Sequence, residues 1–116
     1  MSRIVLKPWG YEEIWAETDK FVGKILYIDP EQRLSLQYHN QKIETIRVLY
    51  GKLKLVYGKK EDALDEMLLM PGETFHVERG LIHRFCADKH PVALIEVSTP
   101  ELDDVVRITD DYSRQT

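Results

Sequence analysis

The feature that most constrains this chain is a series of short apolar runs, each closed by a turn signal. Such runs occupy residues 21–28, 33–39, 44–50, 52–58, 66–70, 73–77, 81–87, 92–98 and 104–108. No segment of about ten or more residues keeps the 3.6-residue period of a helix. The segment EDALDEMLLM (61–70) meets Pro71-Gly72 and is interpreted as a turn followed by a strand. The pattern predicts an all-β sandwich or barrel, as a single domain over residues 1–116.

Net charge, the length of apolar stretches and the cysteine count exclude several classes of binding partner and protein. The 116-residue chain has a net charge of −4, so we expect no nucleic acid bound through phosphate neutralisation. No stretch approaches the roughly 20 apolar residues that a membrane helix needs, and we expect no membrane contact. The N-terminal residues lack a signal peptide's long apolar run, which predicts a cytoplasmic protein. The single cysteine, Cys86, excludes an intrachain disulfide.

The run RLSLQYH (33–39) alternates with the period of two that is typical of a half-buried strand. One side carries Arg33, Ser35, Gln37 and His39, and the other carries Leu34, Leu36 and Tyr38. The alternation alone leaves two interpretations open. The polar side either meets solvent or faces a closed site.

Four residues stand out as possible metal ligands: Gln37, His39, Glu44 and His83. Gln37 and His39 are two apart on one strand, so their side chains leave the same face. Glu44 begins the next run after a short turn. Imidazole nitrogens with carboxylate and amide oxygens form a set suited to zinc, iron, nickel or manganese. Spacing alone does not separate this hypothesis from a polar strand face in solvent.

The same residues resemble the two cupin motifs. Gln37-Tyr38-His39, Glu44 and Gly51 are similar to the first motif, with glutamine replacing its first histidine, and residues 71–73 with GLIHRF (80–85) are similar to the second. More narrowly, the chain resembles the C-terminal cupin domain of type II phosphomannose isomerases, including those fused to mannose-1-phosphate guanylyltransferases. The stretches that carry this resemblance are KPWGYEEIW, LSLQ-x-H, GLIHRF, IEVSTPELDD and VVRITDDY.

The resemblance implies a jelly-roll β-barrel with one divalent metal inside, zinc first and nickel, iron or manganese also compatible. By position the ligands would be Gln37, His39, Glu44 and His83. The polar side of residues 33–39 would then face the lumen. Its leucines would pack outward against another strand layer or a second subunit, and we expect a homodimer.

The isomerase that the resemblance implies interconverts mannose 6-phosphate and fructose 6-phosphate. This reaction needs a base, a positive centre for an enediolate and cations for the phosphate. Arg33 and then Lys24 are the candidates for binding the phosphate of this small-molecule partner. Glu96 and His76 are the candidate bases, because a carboxylate in the apolar run LIEVS would have a raised pKa. Ser35 is expected to bond a sugar hydroxyl or a metal-bound water.

The first motif also departs from the isomerase pattern Q-x-H-H-H-R-x-E-H-W. Asn40 and Gln41 replace histidines, Lys42 replaces arginine, and Thr45-Ile46 replaces His-Trp. Three functions therefore stay open: a metal-dependent sugar-phosphate isomerase, a non-catalytic cupin that binds a sugar phosphate or nucleotide sugar as a sensor or accessory subunit, and a metal-dependent oxygenase.

Overall fold

The computed structural model describes residues 2–114, and within this range the backbone forms eleven strands and no α-helix. The strands are β1 (Arg3–Lys7), β2 (Gly10–Glu17), β3 (Val22–Ile28), β4 (Leu36–Tyr38), β5 (Glu44–Tyr50), β6 (Leu53–Gly58), β7 (Asp65–Leu69), β8 (Thr74–Val77), β9 (Ile82–Cys86), β10 (Val92–Ser98) and β11 (Val106–Thr109). The all-β prediction is confirmed, and so is the strand that follows the turn in 61–70. No helix in the described range is long and apolar enough to cross a membrane.

The strands form two antiparallel sheets that face each other. The larger has the order β1-β2-β3-β10-β5-β8, and the smaller has the order β11-β4-β9-β6-β7. Neighbours in each sheet are often far apart in the chain, as in the pairing of β3 with β10 and of β4 with β11. This is the jelly-roll barrel that was expected.

A hydrophobic core fills one part of the space between the sheets. Directly opposed residues such as Leu26 and Leu94 lie on the inner face of the larger sheet, and Leu55 and Phe85 are opposed on the smaller one. All four are buried within the described chain. Each such side chain contributes about 1.5–3 kcal/mol through its removal from water. The core holds the barrel closed around the polar region described below.

Two glycines occupy turns in which a side chain would not fit. Gly10 has φ of 151° at the start of β2, and a Cβ there would collide with the carbonyl oxygen of Tyr27. Gly51 has φ of 81° between β5 and β6, and a Cβ there would collide with the carbonyl oxygen of Pro91. Both turns therefore depend on the absence of a side chain.

The segment 33–39 departs from the predicted alternation. Only Leu36–Tyr38 forms a strand, and Arg33 makes an isolated bridge to Cys86. The intervening backbone is irregular, so the side that faces inward changes between residues 33 and 37. Leu34 is therefore buried in the core and Arg33 is exposed, and the predicted orientation is wrong for both residues. Leu36 is also buried within the single chain, which removes the basis for a dimer through this face.

Candidate metal centre

A polar cavity of about 380 Å³ lies between the two sheets. Its wall includes apolar side chains such as Trp9, Leu34 and Phe85. Most of its surface is polar or charged, and the inner residues of this kind are Glu12, Lys24, Gln37, His39, Lys42, Glu44 and Glu96. A cavity of this size accommodates a small metabolite.

His39, Glu44 and His83 converge beside this cavity. One ligand atom from each of the three lies within 4.8 Å of the others, and all three residues are buried. His39 directly follows β4, Glu44 begins β5, and His83 lies in β9. Gln37 is the direct cross-strand partner of His83 and lines the same cavity. The fold thus brings three of the four predicted ligands together and places the fourth on the neighbouring strand.

Backbone carbonyls fix the tautomers of the two histidines. Nδ1 of His39 lies 2.6 Å from the carbonyl oxygen of Asp104, and Nδ1 of His83 lies 3.0 Å from that of Leu81. A carbonyl can only accept, so Nδ1 carries the proton in both rings. In the neutral rings both Nε2 lone pairs are then free to coordinate a metal. Backbone carbonyls orient metal-binding histidines in the same way.

The two Nε2 atoms point at one carboxylate oxygen. Oε1 of Glu44 lies 3.0 Å from Nε2 of His39 and 3.3 Å from Nε2 of His83. Within residues 2–114 the Nε2 atom of His83 has no hydrogen-bond partner. Three acceptors that converge in a buried place repel one another unless a proton or a cation lies among them. This donor set fits a divalent metal ion, so the centre could hold one.

Ser35 holds the side chain of Gln37 through a hydrogen bond. Its hydroxyl is fully buried and donates a 2.6 Å hydrogen bond to Oε1 of Gln37. The hydroxyl proton is therefore engaged by a candidate ligand, and contact of Ser35 with a sugar hydroxyl or a metal-bound water stays a prediction. Ser35 and Gln37 are two residues apart at the start of β4, so their side chains can leave the same face and meet.

Five charged side chains form a buried network beside the centre. Nζ of Lys42 lies 3.2 Å from Oε2 of Glu96 and 3.7 Å from Oε2 of Glu44. Nζ of Lys24 lies 3.4 Å from Oε2 of Glu12 and 3.8 Å from Oε2 of Glu96. The network contains three carboxyl groups and two ammonium groups, and burial makes each unpaired charge costly.

The network shifts the pKa values of its members in opposite directions. Burial, followed by the negative charge of Glu44, raises the pKa of Glu96 to about 7. Burial also acts to raise the pKa of Glu44, but its contact with Glu96 and the charge of the Lys42 ammonium hold that pKa well below the ordinary value. Burial acts to lower the pKa of Lys42, yet the charges of Glu96 and Glu44 raise it. Glu44 therefore keeps its charge while Glu96 exchanges a proton near neutral pH.

Asp104 ties the C-terminal segment to the centre. Its carboxylate accepts hydrogen bonds from the backbone N–H groups of Asn40, Gln41 and Lys42, at 3.1, 2.6 and 2.9 Å. Burial acts to raise its pKa, but these three bonds lower it. Because the carbonyl of the same residue also bonds His39, one residue positions both a ligand ring and the loop that leads to Glu44.

The structure places two sequence-predicted residues outside the cavity. Arg33 lies on the surface and makes bidentate hydrogen bonds of 2.7 and 3.0 Å to Asp111. His76 lies on β8, about half exposed, where its ring bonds Thr45 and pairs with Glu78. Neither can reach the inner residues, because each is bound on the outer side of its sheet. Lys24 and Glu96 do lie in the cavity, opposite each other on β3 and β10.

Sequence reasoning missed several residues of the cavity: Lys7, Glu12, Lys42 and Arg107. A signal existed for Glu12, because it shares the inward phase of β2 with the buried Ile14. Lys42 precedes Glu44 by two residues in a loop, where no period applies. Arg107 enters the cavity because β11 pairs with β4, a contact between distant parts of the chain that local patterns do not reveal.

Solved structures share this fold at low sequence identity. The capsular polysaccharide assembling protein CapF of Staphylococcus aureus superposes with a TM-score of 0.81 and 15% identity, over 94% of this chain and 34% of that one. KdgF from Halomonas sp. gives a TM-score of 0.74 and 16% identity, over 89% and 90% of the two chains. Oxalate decarboxylase from Bacillus subtilis gives 0.79 and 13%, over 92% and 30%. These are cupins, so the predicted cupin-type jelly roll is confirmed.

Relatives of known name are more similar in sequence. The mannose-1-phosphate guanylyltransferase of Escherichia coli K12 is 33% identical over 120 residues, which is 98% of this chain and 24% of that protein. The xanthan biosynthesis protein XanB of Xanthomonas campestris B100 is 32% identical over 97% of this chain and 24% of that protein. The chain thus spans about a quarter of these relatives. The family model described as mannose-6-phosphate isomerase C-terminal matches residues 1–110, so this chain belongs to the family of mannose-6-phosphate isomerase C-terminal domains.

Proposed function

We propose that this protein is a divalent-metal-dependent isomerase that interconverts mannose 6-phosphate and fructose 6-phosphate, with zinc as the metal. The observation that carries this proposal is the convergence of His39, Glu44 and His83 within 4.8 Å of one another beside a polar cavity. The family of the chain supports the substrate class. Gln37 is proposed as a fourth ligand from its place opposite His83.

The residues of the cavity have separate roles in the proposed isomerisation. A metal bound by these residues would polarise the oxygens on the first two sugar carbons as a Lewis acid. Glu96 removes the proton from C2 of the aldose and returns it to C1, while the hydroxyl proton passes from O2 to O1. Its pKa of about 7 suits proton transfer in both directions. The ammonium groups of Lys24 and Lys42, at 3.8 and 3.2 Å from Oε2 of Glu96, stabilise the negative charge that develops beside it.

A second candidate is a non-catalytic cupin that binds a sugar phosphate. One observation favours it: the ion pairs that Glu96 makes with both lysines also explain why a buried carboxyl is present, without any catalytic role. The two candidates predict the same metal and the same ligand. They differ only in turnover and in the effect of removing the Glu96 carboxyl.

Metal content and isomerase turnover, measured on one preparation, test the proposal. We expect close to one metal per chain and conversion of mannose 6-phosphate in a coupled assay that needs no oxygen. Glu44→Gln and His83→Ala should lose metal and turnover together, whereas Glu96→Gln should keep the metal and lose turnover. His76→Ala is the matched control, because His76 lies outside the cavity, and it should change neither quantity.

Three results would contradict the proposal. Metal with no turnover would favour the binding module, and full turnover in Glu96→Gln would remove Glu96 from the mechanism. Consumption of oxygen by iron-loaded protein would indicate oxygenase chemistry instead.

We also propose a homodimer, through a different surface from the one expected. Trp15, Phe21 and Val97 expose 44%, 52% and 51% of their surface on the outer side of the larger sheet. The Trp15 ring lies over Gly23, whose cross-strand partner is Val97, so the patch is continuous. Light scattering should give twice 13.6 kDa, and Val97→Lys should give the monomer. A wild-type mass of one chain would refute this.

A further inference from the structure

The outer face of the larger sheet is largely apolar, whereas a sheet face in contact with water is usually polar. Cross-strand pairing over β2, β3, β10 and β5 arranges this face in three rows: Tyr11, Tyr27, Ala93 and Tyr50; Glu13, Ile25, Ile95 and Arg47; and Trp15, Gly23, Val97 and Thr45. Trp15 belongs to the third row through its ring, which lies over Gly23. The polar members are Glu13, Arg47 and Thr45, so removal of this face from water is favourable.

The two charged residues of the three rows lie at opposite ends of the middle row. Glu13 is half-buried on β2, and Arg47 is exposed on β5. Three strand spacings of about 4.8 Å separate their backbones by roughly 14 Å, which is too far for them to pair within one chain. Within residues 2–114 neither side chain makes an ion pair or a hydrogen bond. A second chain that faces this one can supply an opposite charge to each of them.

The charges select one of two ways in which copies can pack these faces in an aligned arrangement. A twofold axis parallel to the strands, between β3 and β10, places β2 of each copy over β5 of the other. Glu13 of each copy then lies opposite Arg47 of the other. A twofold axis perpendicular to the strands, through the middle row, would place Glu13 opposite Glu13 and Arg47 opposite Arg47. Because like charges that face each other destabilise an interface, the parallel axis is favoured.

The central strands also match across the parallel axis. Since β3 of each copy covers β10 of the other, Ile25 lies opposite Ile95, and the large Tyr27 lies opposite the small Ala93. Six strands about 4.8 Å apart, each of about six residues, cover roughly 600 Å² of one copy. Two copies therefore bury about 1,200 Å², which reaches the size of a stable protein–protein interface.

Trp15 faces an outer cavity of the second copy in this arrangement. The cavity has a volume of about 260 Å³, and Phe21, Thr45 and Val97 contribute to its wall. The Trp15 ring lies over Gly23, and the parallel axis places Gly23 of each copy opposite Val97 of the other. The indole of one copy therefore lies over the cavity of the other. Tryptophans that enter such cavities are among the residues that contribute most to binding at interfaces.

We propose that two copies of this chain pack the outer faces of their larger sheets together about the parallel twofold axis, with Glu13 of each copy paired to Arg47 of the other. The inference rests on the homodimer proposed above, and it assigns the symmetry of that dimer and the charge pair that selects it. The pair also fixes the register, because a shift of one copy by one strand leaves all four charges without partners in the interface.

Charge reversal, read by light scattering after size exclusion, tests this arrangement. Glu13→Arg and Arg47→Glu each replace two ion pairs by two like-charge contacts, so each should raise the Kd of the dimer roughly a hundredfold or more. Each variant alone should then give the 13.6 kDa mass of one chain. An equal mixture of the two variants should form a dimer with one copy of each, because opposite charges again face each other at both places. Native mass spectrometry identifies this heterodimer by its mass.

Matched controls come from an exposed ion pair on the smaller sheet. Lys54→Glu and Glu66→Lys reverse charges at this pair, away from the proposed interface, and both variants should stay dimeric. The double variant Glu13→Arg/Arg47→Glu should dimerise with itself. Thermal melting shows whether each variant is folded, and Glu13→Lys takes the place of Glu13→Arg if that variant does not fold.

The outcomes separate this inference from the proposals on which it rests. A wild-type mass of one chain refutes the dimer and this arrangement together. A dimer that survives both reversals, or a mixture that stays monomeric, overturns the arrangement and leaves the homodimer. A heterodimer of Glu13→Arg with the unaltered protein would indicate the perpendicular axis instead. Absent isomerase turnover, with the expected masses and heterodimer, removes the isomerase and upholds the arrangement.

Discussion

Replacement of Lys42 by methionine is expected to destabilise the metal-free protein strongly. The Lys42 ammonium lies 3.2 Å from Oε2 of Glu96 and 3.7 Å from Oε2 of Glu44, with only 6% of the side chain exposed. Methionine fills a similar volume without the charge. The substitution leaves two buried carboxyl groups with one fewer counterion, and breaking a buried pair in this way costs about 3–5 kcal/mol. Since Glu96 can bind a proton and so lose its own charge, we expect the free energy of unfolding to fall by about 3 kcal/mol, the lower end of this range.

Urea unfolding of chelator-treated protein at about pH 8, where an ordinary glutamate is ionised, measures this change. Lys54→Met is the matched control, because Lys54 pairs with Glu66 at 3.3 Å but both side chains are more than half exposed. A surface pair of this kind contributes about 0–1 kcal/mol. A loss in Lys42→Met no larger than in Lys54→Met would refute the reasoning, since it would mean that water in the cavity screens the network.

The same variant reports on the metal. A divalent cation at Glu44 would supply positive charge to the carboxyl groups that Lys42 otherwise compensates. We therefore expect Lys42→Met to lose less stability in zinc-saturated protein than in stripped protein, and by linkage to bind zinc more tightly. Equal losses with and without zinc would mean that the ion and Lys42 do not act on the same carboxyl groups.

Three further perturbations have defined outcomes. Ser35→Ala should cost about 1 kcal/mol in urea unfolding and weaken zinc in a chelator competition, because Gln37 loses its 2.6 Å hydrogen bond; unchanged zinc affinity would exclude Gln37 as a ligand. In Asp110, burial acts to raise the pKa but the Arg114 hydrogen bonds lower it below the ordinary 3.8. Its stabilisation is therefore present above that value and lost as the pH falls below it, so Asp110→Asn should be less stable than the unaltered chain at about pH 6 and equally stable at about pH 2. Leu94→Ala, at a fully buried core position, should cost about 2–5 kcal/mol in urea unfolding.

The order of the strands along the chain could be predicted because each buried strand carries apolar residues and ends at a turn signal. The hairpin of β1 and β2 was missed because this signal is weak in β1. β1 lies at the edge of its sheet, and most of its side chains are exposed, so its sequence carries little of the expected pattern. Its position depends on pairing with β2, which contributes buried residues to the larger sheet.

The residues of the candidate metal centre could be proposed from spacing because Gln37, His39 and Glu44 are close in the chain. The orientation of Arg33 could not, because one irregular stretch of backbone reverses the alternation and leaves no trace in the residue types. Other residues of the cavity are brought there by pairing between strands that are far apart in the chain. Arg107 reaches the cavity through the pairing of β11 with β4, which closes the smaller sheet at one edge.

The positions that depart from the isomerase pattern differ in where they lie relative to the cavity. Asn40 and Gln41 are exposed, and it is their backbone N–H groups that Asp104 binds, so their side chains do not enter the cavity. Thr45 faces the outer side of the larger sheet, where it bonds a histidine ring. Of the changed positions among residues 40–46, Lys42 is the one that lines the cavity, and it keeps the positive charge of the arginine it replaces. Ile46, which replaces the tryptophan of the pattern, is fully buried in the hydrophobic core. The changes therefore alter the loop, the outer face and one core position, while the charge pattern inside the cavity remains compatible with isomerase chemistry.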